Sequence, residues 1–401
     1  MPIKISNRAK SIKPSPTLSI SSKAKEMKAE GIDVINFGVG EPDFNTPEYI
    51  KNAAKKAIDD NFTRYTAAAG IKELRESISA KLKKDNGLDC NINDILVSPG
   101  AKVSIVNILL AVCDPRDEVL IPSPYWVSYT SQVGMVDANP VILPTDESTN
   151  FKIDAVQLEE AIASNCTPKA LILNSPNNPT GAVYTKKELT EIGEVCLRNN
   201  ILIISDEIYE KLIYDDVEHF SIASISPEIR EMTVLINGVS KAYAMTGWRL
   251  GYAAGPTEII KRATRIQSHT TSCVNSMTQK AVVTALTEDD GSIEKMRRQF
   301  EKRRNILVEG LNKIKNVKCA LPKGAFYALP NISYYLYNNK KGIGNSVDLC
   351  KYLLEENHIA IVPGSAFGVD NYVRFSYANS IENIEEGVKR FEDGLESLLK
   401  K

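Results

Sequence analysis

Short apolar runs alternate through the middle of the chain with stretches in which apolar residues recur every three or four positions. The runs fall at 95–97, 119–121, 170–173, 201–204, 234–236 and 250–253. Unbroken apolar runs of this length suit strands covered on both faces. Between them, Ile71, Leu74, Ile78 and Leu82 share one helical stripe, and Leu189, Ile192 and Cys196 share another. The alternation predicts βαβ units around a largely parallel sheet flanked by helices.

From about Gly291 the pattern changes. A charged helical segment, IEKMRRQFEKRRNILVEGLNKI, is followed by a strand-like GAFYAL and a last helix through Phe391. At 401 residues the chain is too long for one simple core. The expected division is a large α/β domain over 47–290 and a smaller α+β domain over 291–401. Residues 1–46 read as an arm and part of the smaller domain. Before Thr46 no partner helix is expected, so this stretch should pack on the other domain or on another subunit.

The unusual polar residues come directly after the predicted strands. ILV leads into SPGAK, EVLI into PSPYW, ALIL into NSPNNPTG, ILII into SDEIY and TVLI into NGVSKAYAMTGWR. In an open parallel sheet these are the carboxyl ends of the strands, the edge along which ligands bind. Five such clusters in succession point to one site.

Composition narrows the chemistry. The formal net charge is -1, from 49 basic and 50 acidic residues. A balance this even gives no reason to expect nucleic acid or an anionic membrane as a partner. No apolar run is long enough to span a bilayer. The first residues carry Lys4, Arg8, Lys10 and Lys13 and no acid before Glu26, which reads as a solvated basic arm. Seven scattered cysteines without a C-x-x-C pair suit a reducing cytoplasm. The three histidines show no metal-ligand spacing, and no metal is expected.

Single residues acquire meaning from this context. SPGAK opens a helical pattern, and a small-residue turn at a helix N-terminus suits a phosphate. Arg249 would add a fixed fork of donors, although alone it reads as a surface ion pair. Asp206 follows four apolar residues, where a carboxylate is costly unless paired. It suits a protonated pyridine nitrogen, or else caps the following helix. Tyr209 lies three residues on and could bond a ring oxygen. Lys241, close to the phosphate turn, can form an imine with an aldehyde cofactor and then move protons as base and acid. Gly38 and Gly40 in FGVGEPDF lack the third glycine of a dinucleotide-binding loop, since position 43 is Asp. No G-x-S-x-G elbow occurs.

Together these segments resemble the fold-type I, pyridoxal-phosphate-dependent class I aminotransferases, specifically the bacterial aspartate and aspartate/prephenate subgroup. The resemblance spans nearly the whole chain. It rests on GEPDFNTP (40–47), RYTAAAGIKELR (64–75), SPGAK (98–102), SPYWVSY (123–129), NSPNNPTGAVY (174–184), SDEIYEKLIY (205–214), SKAYAMTGWRLGY (240–252), GAFYAL (324–329) and YVRFSYA (372–378). It implies that Lys241 holds pyridoxal 5'-phosphate, that Asp206 pairs with the ring nitrogen, and that Tyr209 and Asn178 bond the ring oxygen. Trp126 would stack on the ring. Gly100, Ala101, Lys102 and Arg249 would surround the phosphate. Tyr65 would reach the phosphate of a neighbouring subunit, which makes the site a property of a homodimer. Arg374 would clamp the substrate α-carboxylate, with Gly40 and Asn178 alongside. One departure stands out. Many relatives carry a phosphate-binding serine three residues before the lysine, where this chain has Gly238.

The resemblance also bears on the substrate. Lys102 matches a lysine that recognises a side-chain carboxylate in some bacterial aspartate aminotransferases, and Lys13 matches one linked to prephenate. The expected reaction is L-aspartate with 2-oxoglutarate, with prephenate amination as a second activity. Alanine or aromatic aminotransferases, or a C–S lyase eliminating at the β-carbon, share the same core motifs. A non-catalytic regulator on this fold would carry a DNA-binding domain or lack the lysine.

Overall fold

The computed structural model describes residues 3–12, 14, 16–164, 167–400. Twelve strands occur in chain order: β1 (Ile35–Asn36), β2 (Ile95–Ser98), β3 (Glu118–Ser123), β4 (Asn139–Pro144), β5 (Pro168–Asn174), β6 (Leu202–Asp206), β7 (Thr233–Gly238), β8 (Gly251–Ala254), β9 (Tyr327–Ala328), β10 (Ile359–Ala360), β11 (Val362–Pro363) and β12 (Val373–Ser376). Strands β2 to β8 form one sheet in the order β2-β8-β7-β6-β5-β3-β4. The pairs within β7-β6-β5-β3-β4 are parallel, and β8 runs antiparallel to both β7 and β2.

That single reversal decides where the site lies. It leaves β2 parallel to the rest of the sheet, so the carboxyl ends of β2, β3, β5, β6 and β7 share one edge. The amino end of β8, just after Arg249, joins them there.

The sheet is buried on both faces, as its apolar runs require. Leu96, Val119, Ile121, Ile172, Ile204 and Ile236 enter one core. The alternate positions Ile95, Val97 and Leu235 enter a second, and Leu120, Leu171 and Ile203 a third. This is the two-residue period of a strand. The stripe Leu74, Ile78 and Leu82 is buried on the helix Lys72–Asn86. Leu189, Ile192 and Cys196 are buried on Lys186–Arg198, whose start is a Thr185–Glu188 capping box.

In the C-terminal region Phe300, Phe326, Phe375 and Phe391 share a core with Phe37 and with Ile208, Tyr209, Leu212 and Tyr214. The charged segment forms the helix Ser292–Lys313, and the last helix runs Ile381–Leu399. Between them stands a small antiparallel sheet, β11-β12-β9. The N-terminal stretch differs from expectation. It contains helices Asn7–Ser11 and Pro16–Ala29. Ala24 and Met27 pack with Val34, Leu354 and Ala360, and β1 pairs with β10. The apolar stripe of Pro16–Ala29 is thin and set among serines and lysines, so the sequence pattern does not announce it.

Candidate active site

Strand ends and turns bring the polar clusters together. At the end of β5, Asn174 donates to the Asp206 carbonyl at 2.9 Å and accepts the Asn178 N–H at 2.9 Å. One side chain thereby fixes the two turns that carry Asp206 and Asn178. Asp206 itself is 4% exposed. Its Oδ2 accepts the Tyr129 hydroxyl at 2.7 Å, and its Oδ1 accepts the Ile208 N–H at 3.2 Å. Burial pushes its carboxyl up to about 6, against those two hydrogen bonds. The capping reading of Asp206 holds only to the extent of that Ile208 contact.

Lys241 is half-buried, and its Nζ donates to the Gly40 carbonyl at 2.5 Å. Burial, and then the nearby Arg374 charge, bring it down to about 8. Glu41 and Asp206 oppose that shift. An amine in this state is neutral often enough near neutral pH to act as a nucleophile or base.

Arg374, on β12, is 2% exposed. It donates to Asn178 Oδ1 at 3.1 Å and to the Gly38 carbonyl at 2.8 Å, while its Nε has no partner. The guanidinium lies 4.4 Å from the centroid of the Tyr327 ring. No carboxylate is among its hydrogen-bond partners in the described residues. Tyr327 in turn shares a hydrogen bond of 3.0 Å with Tyr209, whose hydroxyl lies 3.5 Å from Asn178 Nδ2.

The phosphate turn is shaped by backbone. Gly100 precedes the helix Ala101–Val112 at φ 92, and a Cβ there would lie 2.4 Å from an Arg249 nitrogen. Only glycine lets the guanidinium lie against this helix start, whose first N–H groups have no acceptor within the helix. Arg249 is exposed and donates to the Thr246 and Pro99 carbonyls at 3.0 and 3.4 Å. Lys102 holds its ammonium 4.8 Å from the Trp126 ring centroid. Partial burial and the Arg249 charge hold its pKa below the usual lysine range.

The departure at Gly238 has a steric cause. A Cβ there would lie 2.8 Å from Gly251 Cα and 3.0 Å from the Leu250 carbonyl, because β7 and β8 approach closely. A serine does not fit. Ser98, at the end of β2, keeps a buried hydroxyl without a hydrogen-bond partner.

The structure thus collects Gly40, Gly100, Ala101, Lys102, Trp126, Asn178, Asp206, Tyr209, Lys241, Arg249 and Arg374 along one edge. Tyr65 stands apart and is 90% exposed. Its neighbour Thr66 contacts Cys273, on the rim of an open cleft of about 720 Å³ that Arg249 also lines. Lys13 lies outside the described residues. Sequence reasoning passed over Tyr129, Tyr327 and Gly38 as site residues. Tyr129 lay in view in SPYWVSY, three residues after Trp126, and Tyr327 in GAFYAL.

Comparison with known proteins shows the family. Residues 32–391 match the family described as aminotransferase class I and II. An aspartate aminotransferase of Bacillus sp. (strain YM-2) is 46% identical over 388 residues, which cover 97% of this chain and 98% of that protein. A probable aspartate/prephenate aminotransferase of Aquifex aeolicus is 43% identical over 396 residues, covering 98% and 99%. The crystal structure of the aspartate aminotransferase of Rhizobium meliloti superposes with a TM-score of 0.94 at 40% identity, covering 99% of this chain and 100% of that one.

Proposed function

Since the chain belongs to the class I and II aminotransferases, we propose that it uses pyridoxal 5'-phosphate to exchange an amino group between L-aspartate and 2-oxoglutarate, giving oxaloacetate and L-glutamate. Prephenate, also a dicarboxylate, is read as a second acceptor. The observation that carries this reading is Arg374. A buried guanidinium bonded only to neutral oxygens, with its Nε free, is costly unless an anion completes it. An amino acid's α-carboxylate supplies that anion and accepts two parallel donors.

The other residues fit the cofactor. When bound, pyridoxal phosphate supplies an aldehyde for amines to attack and a ring that draws electrons from the adjacent carbon. Asp206, buried and bonded on each oxygen by a single donor, would hold the ring nitrogen protonated. Tyr209 and Asn178 would bond the ring oxygen, and Trp126 would cover the ring face. Gly100, Ala101, Lys102 and Arg249 would hold the phosphate at the helix start. Lys241 would carry the cofactor. Displaced by the incoming amine, it would take the proton from the substrate α-carbon and deliver a proton to the cofactor's aldehyde-derived carbon across the nitrogen. Gly40, whose carbonyl already accepts from Lys241, would lie beside the substrate.

Lys102 would add the second carboxylate partner that separates aspartate from alanine, and Lys13 would serve prephenate. Arg249 is exposed and lines the open cleft, and Tyr65 is exposed beside Thr66, which contacts Cys273 on the cleft rim. We therefore read the active form as a homodimer in which Tyr65 reaches the neighbour's phosphate, at work in the cytoplasm.

A donor and acceptor panel on purified protein tests this reading. Aspartate with 2-oxoglutarate should be the fastest pair, with measurable turnover of prephenate. Faster alanine or aromatic transfer would overturn the substrate assignment. Pyruvate and thiol released from cystathionine as the main reaction would replace it with elimination.

A further inference from the structure

Residues 62–71 connect the helices Glu48–Asp59 and Lys72–Asn86 without a helix or strand of their own. Such a segment must find partners for its backbone groups elsewhere. Two glutamines, each 0% exposed, supply two of them, for the Ile71 N–H and the Ala68 carbonyl. On the helix Ser276–Thr287, Gln279 accepts the Ile71 N–H at 2.8 Å. It donates to Thr66 Oγ1 and to the Val274 carbonyl, both at 2.9 Å. On the helix Thr257–Thr270, Gln267 donates to the Ala68 carbonyl at 2.8 Å and to the Val97 carbonyl at 2.7 Å. Its oxygen accepts from Asn107 at 2.9 Å.

Both buried amides are therefore fully used, and both grip this segment. A buried amide is tolerated only when bonded in this way, and it then fixes position more sharply than an apolar side chain of the same size. Gln267 does more than hold the loop. Val97 directly precedes the Ser98–Pro99–Gly100 turn, so this side chain, together with the Val97 N–H that donates to the Ala69 carbonyl at 3.1 Å, sets the loop relative to the chain's own phosphate cradle. Tyr65 lies within the held segment and is 90% exposed.

We propose that Gln279 and Gln267 are positioning residues that present Tyr65 to the cofactor phosphate held by a second copy of this chain. The proposal rests on the shared-site reading above. Neither glutamine needs to touch cofactor or substrate. Each removes freedom from a loop that would otherwise have to be ordered when Tyr65 binds.

The test is a double-mutant cycle on the purified holoenzyme, reading the pyridoxal phosphate dissociation constant. Tyr65→Phe removes a hydrogen bond to a charged group and should weaken retention by about tenfold or more. Gln279→Leu should weaken it severalfold when Tyr65 is present and leave it unchanged in the Tyr65→Phe background. Thr66→Val, which removes one anchor from the loop without altering the buried helix, should follow the same pattern and serves if Gln279→Leu does not fold. Equal losses in both backgrounds would make the glutamines merely structural and overturn the proposal. Unaltered retention in Tyr65→Phe itself would sink the shared-site reading, and the proposal with it.

Discussion

The Tyr129 hydroxyl donates to Asp206 Oδ2 at 2.7 Å in a fully buried setting. This contact works against burial, which drives the Asp206 carboxyl up to about 6. Removing the hydroxyl should raise it further, so that the acid form persists to higher pH. Protonated Asp206 cannot pair with a protonated ring nitrogen. Tyr129→Phe should therefore weaken pyridoxal phosphate binding by about ten- to a hundredfold near pH 6.5, and less at pH 8. Dissociation constants measured across pH check this. A uniform loss at every pH would detach Tyr129 from the ionisation of Asp206.

Lys241 gives a second pH signature. Its amine is brought down to about 8 from the ordinary 10.5, chiefly by burial. Only the neutral amine attacks an aldehyde. The rate at which protein freed of cofactor takes up pyridoxal phosphate should rise through a midpoint near 8 and level off above it. Stopped-flow absorbance reads this directly. A midpoint close to 10.5 would place the amine in a water-like environment.

Lys102, held over the Trp126 ring, is assigned the side-chain carboxylate of the substrate. Lys102→Ala should raise KM for aspartate by about tenfold, the scale of one hydrogen bond to a charged group. KM for alanine should change far less. Steady-state kinetics with both donors decide it, and equal effects would remove Lys102 from side-chain recognition.

Behind the site, Lys81 and Glu210 form an ion pair with side chains 5% and 8% exposed. Asn86 also donates to Glu210 at 2.7 Å. Burial acts to raise the Glu210 carboxyl, but Lys81, His219 and Asn86 together outweigh it and the net value is about 2. The folded value is below the ordinary 4.5, so this contribution to stability is present above pH 4.5 and fades as the pH falls towards 2. Lys81→Met leaves Glu210 buried without its ammonium. It should cost about 3–5 kcal/mol in denaturant unfolding at pH 7, and much less at pH 3. A neutral effect at pH 7 would mean that water reaches the carboxylate.

Much of this was legible in the sequence because it follows from burial. Six strands of the large sheet are double-sided apolar runs, and the polar ends of five of them marked the site edge. Strand β4 was not read. It is an edge strand whose short VIL is bracketed by prolines, with four of its six residues exposed, so it lacks the signature of a buried run. The reversal of β8 could not be read either, since direction leaves no trace in an apolar pattern. Pairing partners such as Tyr129–Asp206, Tyr209–Tyr327 and Gln267–Val97 join residues far apart in sequence, and only the fold brings them together. The absence of a serine at Gly238 was visible, but its cause, the close approach of Gly251, was not.

Every proposed step depends on the ε-amino group of Lys241. Purified Lys241→Ala, reconstituted with pyridoxal phosphate, should lack the visible absorbance band of the lysine-bound cofactor and should show no half-reaction with aspartate. A variant that keeps both the band and the half-reaction would contradict it.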